Sequence, residues 1–155
     1  MSIGNYYYLN SRTKTMKFIG KLLGTLDLHT HIRIKALIVF LSKYFNNINK
    51  SDYIDIIELG CGSGVNAFEI YKIAKKNNVN FNYIGTDLSR ESINCANNIL
   101  NSLNGAKKYI SFYEEEVISF LENQKKLQAD IILFIDIIEH IKNPQELINL
   151  SKNNL

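Results

Sequence analysis

The 155-residue sequence predicts an α/β domain with a mainly parallel sheet and helices on both of its faces. Three observations carry that expectation. From residue 53 onward, short β-rich apolar runs alternate with segments of helical periodicity. A glycine-rich turn joins the first run to the first such helix. The fourth run, Ile131 to Ile135, is apolar throughout, as suits a strand covered by helices on both sides. Strands that alternate with helices connect by right-handed crossovers, which makes neighbouring strands parallel.

The chain divides into residues 1–50, a helical cap segment, and residues 51–155, the α/β domain. In the cap, Phe18, Ile19, Leu22, Leu23 and Leu26 share one face of a first helix that Gly20 and Gly24 weaken. Ile34, Leu37, Ile38, Leu41 and Phe45 recur at three- and four-residue steps in a second, and the polar run Asn46 to Asp52 closes the segment. Tyr53 to Leu59 is the first strand, and Val65 to Lys76 its helix. Phe81 to Thr86 is the second strand. The helix after it starts at the N-cap Ser89, buries Ile93, Ala96, Leu100 and Leu103, and stops around Gly105. Tyr109 to Tyr113 is a weaker third strand, with a helix near Val117 to Gln128, and Ile131 to Ile135 is the fourth. Pro144 at a helix N1 position, with Glu146 in the first turn, opens a last helix that runs to the end.

With 46% hydrophobic and 21% charged residues, the chain has the means to bury a core, which excludes wholesale disorder. No stretch approaches the roughly 18 consecutive apolar residues that span a membrane, and the N-terminus lacks a basic-then-apolar signal pattern. A cytoplasmic protein is expected. Cys61 and Cys95 have neither disulfide-framework nor metal-ligand spacing, so both read as reduced packing thiols. The net charge of +3 conceals an asymmetry: residues 1–50 hold eight basic side chains against one acid, and the remainder ten against fourteen. A basic segment beside an acidic core attracts anionic substrates or surfaces, although a solvated lysine face accounts for it more simply. Aromatic residues do not interleave with the basic ones as base stacking requires, so nucleic acid is not an expected partner.

An open parallel sheet binds its ligand at the carboxyl ends of its strands, which directs attention to four loops. The first is Glu58-Leu59-Gly60-Cys61-Gly62-Ser63-Gly64, where a strand hands over to a helix. Glycines at alternate positions let the backbone turn, clear Cβ atoms from a ligand's path and present amide N–H groups at a helix N-terminus. The loop resembles motif I of class I S-adenosylmethionine-dependent methyltransferases, whose form is an acid, an apolar residue and then Gly-x-Gly-x-Gly. The resemblance implies a Rossmann-like fold and S-adenosyl-L-methionine as cofactor. It places Glu58 near the methionine end of that cofactor, and Gly60, Cys61, Gly62 and Gly64 around its amino acid and ribose portions. Gly62-Ser63-Gly64-Val65-Asn66-Ala67 also satisfies the G-x-G-x-x-G/A dinucleotide fingerprint, so an NAD-dependent oxidoreductase is the rival reading. An acid beside the loop repels a pyrophosphate and suits a cationic sulfonium and ammonium better. A third reading is a non-catalytic cofactor-binding or assembly module that keeps the loop.

Asp87, at the end of the second strand, can accept hydrogen bonds from vicinal ribose hydroxyls. It resembles motif II of the methyltransferases, which implies Leu88 against the adenine face; the plainer account is a helix-start acid held by the macrodipole. After the third strand comes Glu114-Glu115-Glu116, where the resemblance puts an acid on the adenine amino group, Glu116 by preference; a solvated acidic run explains it equally. The fourth strand ends in Asp136-Ile137-Ile138-Glu139-His140, similar to the D-x-x-E-H pattern of a group of small-molecule methyltransferases that includes O-methyltransferases of quinone biosynthesis. That similarity implies that Asp136, Glu139 and His140 face the substrate, with His140 as a general base and the three as a partial metal shell, although no bound metal is assigned. A packed, hydrogen-bonded histidine is the alternative. His29, His31 and Arg33 either start a helix or grip an anionic group, and Tyr6, Tyr7 and Tyr8 cap the cofactor or anchor the terminus.

The implied reaction is transfer of a methyl group to an O, N or C nucleophile of a small molecule, anionic if the basic segment recognises it. Class I methyltransferases have seven strands, and four are legible here. The expectation is therefore a truncated form of the fold, or one whose apolar fourth-strand edge pairs with a second copy as a homo-oligomer.

Overall fold

A computed structural model describes residues 28–49, 52–124 and 128–155. The elements run α1 (Leu28–Asn47), β1 (Tyr53–Leu59), α2 (Val65–Asn77), β2 (Asn80–Asp87), α3 (Arg90–Ser102), β3 (Ile110–Glu114), α4 (Val117–Asn123), β4 (Ile131–Phe134) and α5 (Pro144–Lys152). Single 3-10 turns lie at Ala106–Lys108 and Ile138–His140. The helix expected over residues 18–26, the tyrosines at 6–8 and the side chains of His29 and His31 lie outside the described residues.

All strand pairs are parallel, in the order β3-β2-β1-β4. Alternation along each strand sends side chains to two cores. Ile54 and Ile56 of β1, Phe81 and Tyr83 of β2, and Ile131 and Leu133 of β4 face α1, α2 and α3. Ile57 and Leu59 of β1 face α4 and α5, where Phe120, Leu121 and Leu147 complete the second core. Leu37, Leu41 and Phe45 of α1 join the first core, so this helix shares the hydrophobic interior of the sheet.

Helix starts follow the local chemistry. Ser89 caps α3 by accepting from Ser92 N at 3.2 Å, and Asn143 caps α5 ahead of Pro144. Three expectations are corrected. Helix α4 ends at Asn123 and not near Gln128, because Gln124 leaves helical geometry at φ −97° and ψ 33° and caps the helix. In α3, Ile99 is buried beside Ile93, Ala96 and Leu100, while Leu103, at the C-cap, packs against the first core only partly buried. Strand β4 is buried on one face only, since Ile132 and Phe134 stay half-exposed on a strand with no partner along its outer edge among the described residues. No helix among the described residues is long and apolar enough to cross a membrane.

Candidate functional site

The strand register puts Leu59, Thr86 and Phe134 in one row at the carboxyl edge of the sheet. The loops that follow therefore converge. Gly60 and Cys61 both donate their backbone N–H to Thr86 O, at 2.8 and 2.9 Å, which folds the glycine loop back over β2. Gly60, Gly62 and Gly64 all adopt left-handed conformations, with φ of 74°, 54° and 78°. A Cβ at Gly60 would lie 2.7 Å from Ile137 Cδ1, and one at Gly64 2.7 Å from Phe112 Cζ, whereas one at Gly62 would meet nothing within 4 Å. Two of the three glycines thus have packing reasons that the sequence reading assigned to a ligand; Gly62 alone faces open space.

Asp87 ties this loop to the next strand. Its Oδ2 accepts from Gly62 N at 2.8 Å and its Oδ1 from Ser89 N at 2.8 Å. Each oxygen keeps a further lone pair for a ligand hydroxyl.

Beneath the loop, Glu58 is 1% exposed. Asn66 Nδ2 donates to its Oε1 at 2.6 Å, and the Tyr83 hydroxyl donates to its Oε2 in a short hydrogen bond. Burial pushes the Glu58 carboxyl up to about 7, against the opposing pull of Tyr83, Asn66 and the Arg33 charge, with Asp87 adding to the rise. The stability linked to this group is fully present below about pH 4.5, falls as pH rises, and is gone above about 7. We expect a loss on the order of 3 kcal/mol across that window, abolished in Glu58→Gln, which carries no charge to desolvate. Urea unfolding at about pH 5 and pH 8 checks this; equal pH dependence in wild type and variant would clear Glu58 of the effect.

The loop after β4 closes the opposite wall. Asp136 sits at φ 54° and forms an ion pair with Arg33 Nη1 of α1. Arg33 Nε is buried with no hydrogen-bond partner among the described residues. Glu58, Gly60, Cys61, Gly62, Asn66 and Asp87 line a cleft of about 360 Å³ together with Arg33, Asp136 and His140. A second groove of about 600 Å³ runs between α1 and β4, lined by Phe40, Ile132, Phe134 and Ile138, and meets the cleft at Arg33, Ile135 and Asp136.

Not every residue singled out in the sequence reaches this cleft. Leu88 is 73% exposed at its rim. Glu116 caps α4, its Oε2 accepting from Ser119 N at 2.9 Å; Glu114 pairs with Arg90, and Glu115 accepts from Asn123. Glu139 is exposed and outside the lining. The partial metal shell is not assembled: among the described residues no three His, Cys, Asp or Glu side chains come together to hold an ion. Burial, with Glu58 and Asp87 nearby, pushes the Cys61 thiol well up, so it serves as a small packing group against Gly85. Tyr83 and Asn66 were missed. Their signal was faint: a tyrosine two residues from Phe81 on the inward face, and an asparagine among the buried positions of α2.

A family model described as a methyltransferase domain matches residues 50–155. The chain belongs to the class I S-adenosylmethionine-dependent methyltransferase family. Among its relatives are ubiquinone biosynthesis O-methyltransferases: that of Rickettsia typhi is 30% identical over 126 residues, covering 81% of this chain and 45% of the relative. That of Rickettsia bellii is 28% identical over 130 residues, with 83% and 48% covered. The plantazolicin methyltransferase BpumL, solved with a monoazolic desmethylPZN analog and SAH, superposes with a TM-score of 0.59 at 26% identity, over 80% of this chain and 43% of that one. The citrinin polyketide synthase CMeT domain shares the fold, with a TM-score of 0.69 at 19% identity over 80% of this chain and 32% of that one. This methyltransferase chain spans about half the length of the curated relatives it matches.

Proposed function

We propose that this methyltransferase domain binds S-adenosylmethionine in the cleft at the carboxyl edge of the sheet and directs methyl transfer to an O, N or C nucleophile of a small molecule. The observation that carries the reading is the convergence, on one crevice, of a buried carboxylate, an open left-handed glycine and a second carboxylate fastened to the glycine loop. The residues fit the cofactor: Asn66 Oδ1 is a buried acceptor with no partner among the described residues, and Gly62 leaves room where any side chain would intrude.

Asp87 accepts from the ribose hydroxyls while its backbone hydrogen bonds hold it in place. Leu88, apolar and exposed beside it, offers a surface for the adenine face. When bound, the cofactor supplies a methyl group already activated on a sulfonium, so alignment accounts for most of the acceleration, an effect worth roughly 7 to 11 kcal/mol. The acceptor sits in the groove between α1 and β4, where apolar walls meet Arg33, a cation suited to an anionic acceptor. Of the residues after β4, Asp136 lines both the cleft and the groove, and His140, in the lining of the cleft, is the base of this reading. Glu139 has no place in that arrangement. The free thiols Cys61 and Cys95 support a reducing, cytoplasmic setting.

Titration calorimetry with S-adenosylmethionine, S-adenosylhomocysteine and NAD checks the proposal. The first two are expected to bind and NAD not to, because its pyrophosphate would lie against the Glu58 and Asp87 carboxylates. Binding of NAD alone would reverse the reading.

A further inference from the structure

We propose that the outer edge of β4 and the exposed face of α1 form a docking surface for a second copy of this chain, with the two β4 strands antiparallel about a two-fold axis at Leu133. The surface borders the groove given above to the acceptor, and its occupancy is measured without any ligand.

The strand edge sets the register. Asp130 donates its N–H to Asp55 O of β1 at 2.8 Å, so by alternation along β4 the N–H and C=O groups of Ile131 and Leu133 point away from the sheet. Ala129, one step earlier on that edge, donates to Asn154 O at 2.7 Å, which closes the amino end. No strand pairs with the rest of the edge among the described residues. A row of open backbone groups is a template for another strand, and an identical edge is complementary to it about a two-fold axis. An axis at Leu133 pairs that residue with its own copy and Ile131 with Ile135, and stops short of the closed end at Ala129.

Helix α1 supplies a second layer of contact. It buries Leu37, Leu41 and Phe45 toward the sheet, yet a further apolar row faces solvent: Ile32 is 58% exposed, Val39 69% and Phe40 54%, with the exposed Ala36 between them. A surface helix ordinarily turns polar side chains that way. With the exposed Ile138, these side chains leave on the order of 400 Å² of apolar surface, about half of the roughly 800 Å² that each partner gives to a stable interface. Half-exposed Ile132 and Phe134 add to it, and the groove lined by Phe40, Ile132, Phe134 and Ile138 joins the helix row to the strand edge. Charge agrees with the two-fold. Arg33 meets Asp136 at one end, so α1 runs back along β4 and carries Lys43 toward the amino end of that strand. The axis therefore brings the exposed Glu139 of one copy toward the exposed Lys43 of the other.

Sedimentation velocity of the full chain, from about 1 to 100 µM and without ligand, is expected to show a reversible passage from monomer to dimer. Hydrogen exchange over the same range is expected to slow at the Ile131 and Leu133 backbone N–H groups as the dimer forms. Val39→Lys, at a position too exposed to disturb the fold, is expected to raise the dissociation constant at least about tenfold. A monomer at every concentration overturns the proposal. Protection of the Leu133 N–H that is independent of concentration also overturns it, because the edge is then covered within one chain. A dimer in which that N–H exchanges as fast as in dilute protein, or whose affinity Val39→Lys leaves unchanged, assembles through another surface and overturns it equally.

Discussion

Asp87→Ala is expected to weaken S-adenosylmethionine binding by roughly 100- to 1,000-fold. The alanine removes the proposed acceptor for the ribose hydroxyls, and hydrogen bonds to a charged group contribute about 1.5 to 3 kcal/mol each. It also releases Gly62 N and Ser89 N, both held by the same carboxylate at 2.8 Å, so the glycine loop loses its tie to β2. The two effects act on one ligand and reinforce each other. Asp87→Asn keeps an acceptor of the same shape but only one, so a loss of about tenfold is expected. Calorimetry distinguishes these, and an alanine variant that binds within about threefold of wild type would place the ribose elsewhere.

Gly64→Ala is expected to lower stability by about 3 to 5 kcal/mol, and Gly62→Ala by only about 1 to 2 kcal/mol. Both residues hold positive φ, so both substitutions carry backbone strain. At Gly64 the new methyl would also lie 2.7 Å from Phe112 Cζ and 3.1 Å from Ala96 Cβ, inside a packed core that cannot yield freely. At Gly62 it would face open space, so the cost moves from folding to binding: cofactor affinity falls although the protein stays folded. Urea unfolding paired with calorimetry reads both quantities, and equal destabilisation by the two substitutions would remove the distinction.

Much of this domain was legible residue by residue. The bounds of β1 agree with those read from the sequence because Asp52 precedes it and the glycine loop ends it. Ser89 and Pro144 announced their helices through capping chemistry that involves only the next few residues. Helix α4 was overextended because no glycine or proline interrupts the sequence from Glu122 to Gln128, whereas Gln124 departs from helical geometry once folded. In the cleft, Glu58, Gly60, Gly62 and Asp87 stood out as a motif, but the reason for each glycine did not: Ile137 and Phe112, which crowd Gly60 and Gly64, lie on other strands or loops. Arg33 was noticed for its charge, yet its partner Asp136 comes from the far end of the sequence.

The strand-and-helix alternation, the glycine turn after β1 and the acids at the strand ends were already written in the order of the residues. These depend on periodicity and turn chemistry among neighbouring residues, which are properties of the chain before it folds. It took the folded arrangement to seal Glu58 in the interior with Tyr83 and Asn66 as its donors, to leave Asn66 Oδ1 without a partner among the described residues, and to pair Arg33 of α1 with Asp136 from the loop after β4. Those outcomes depend on which surfaces meet, because a carboxylate changes its protonation only when packing elements from distant parts of the chain take it out of water.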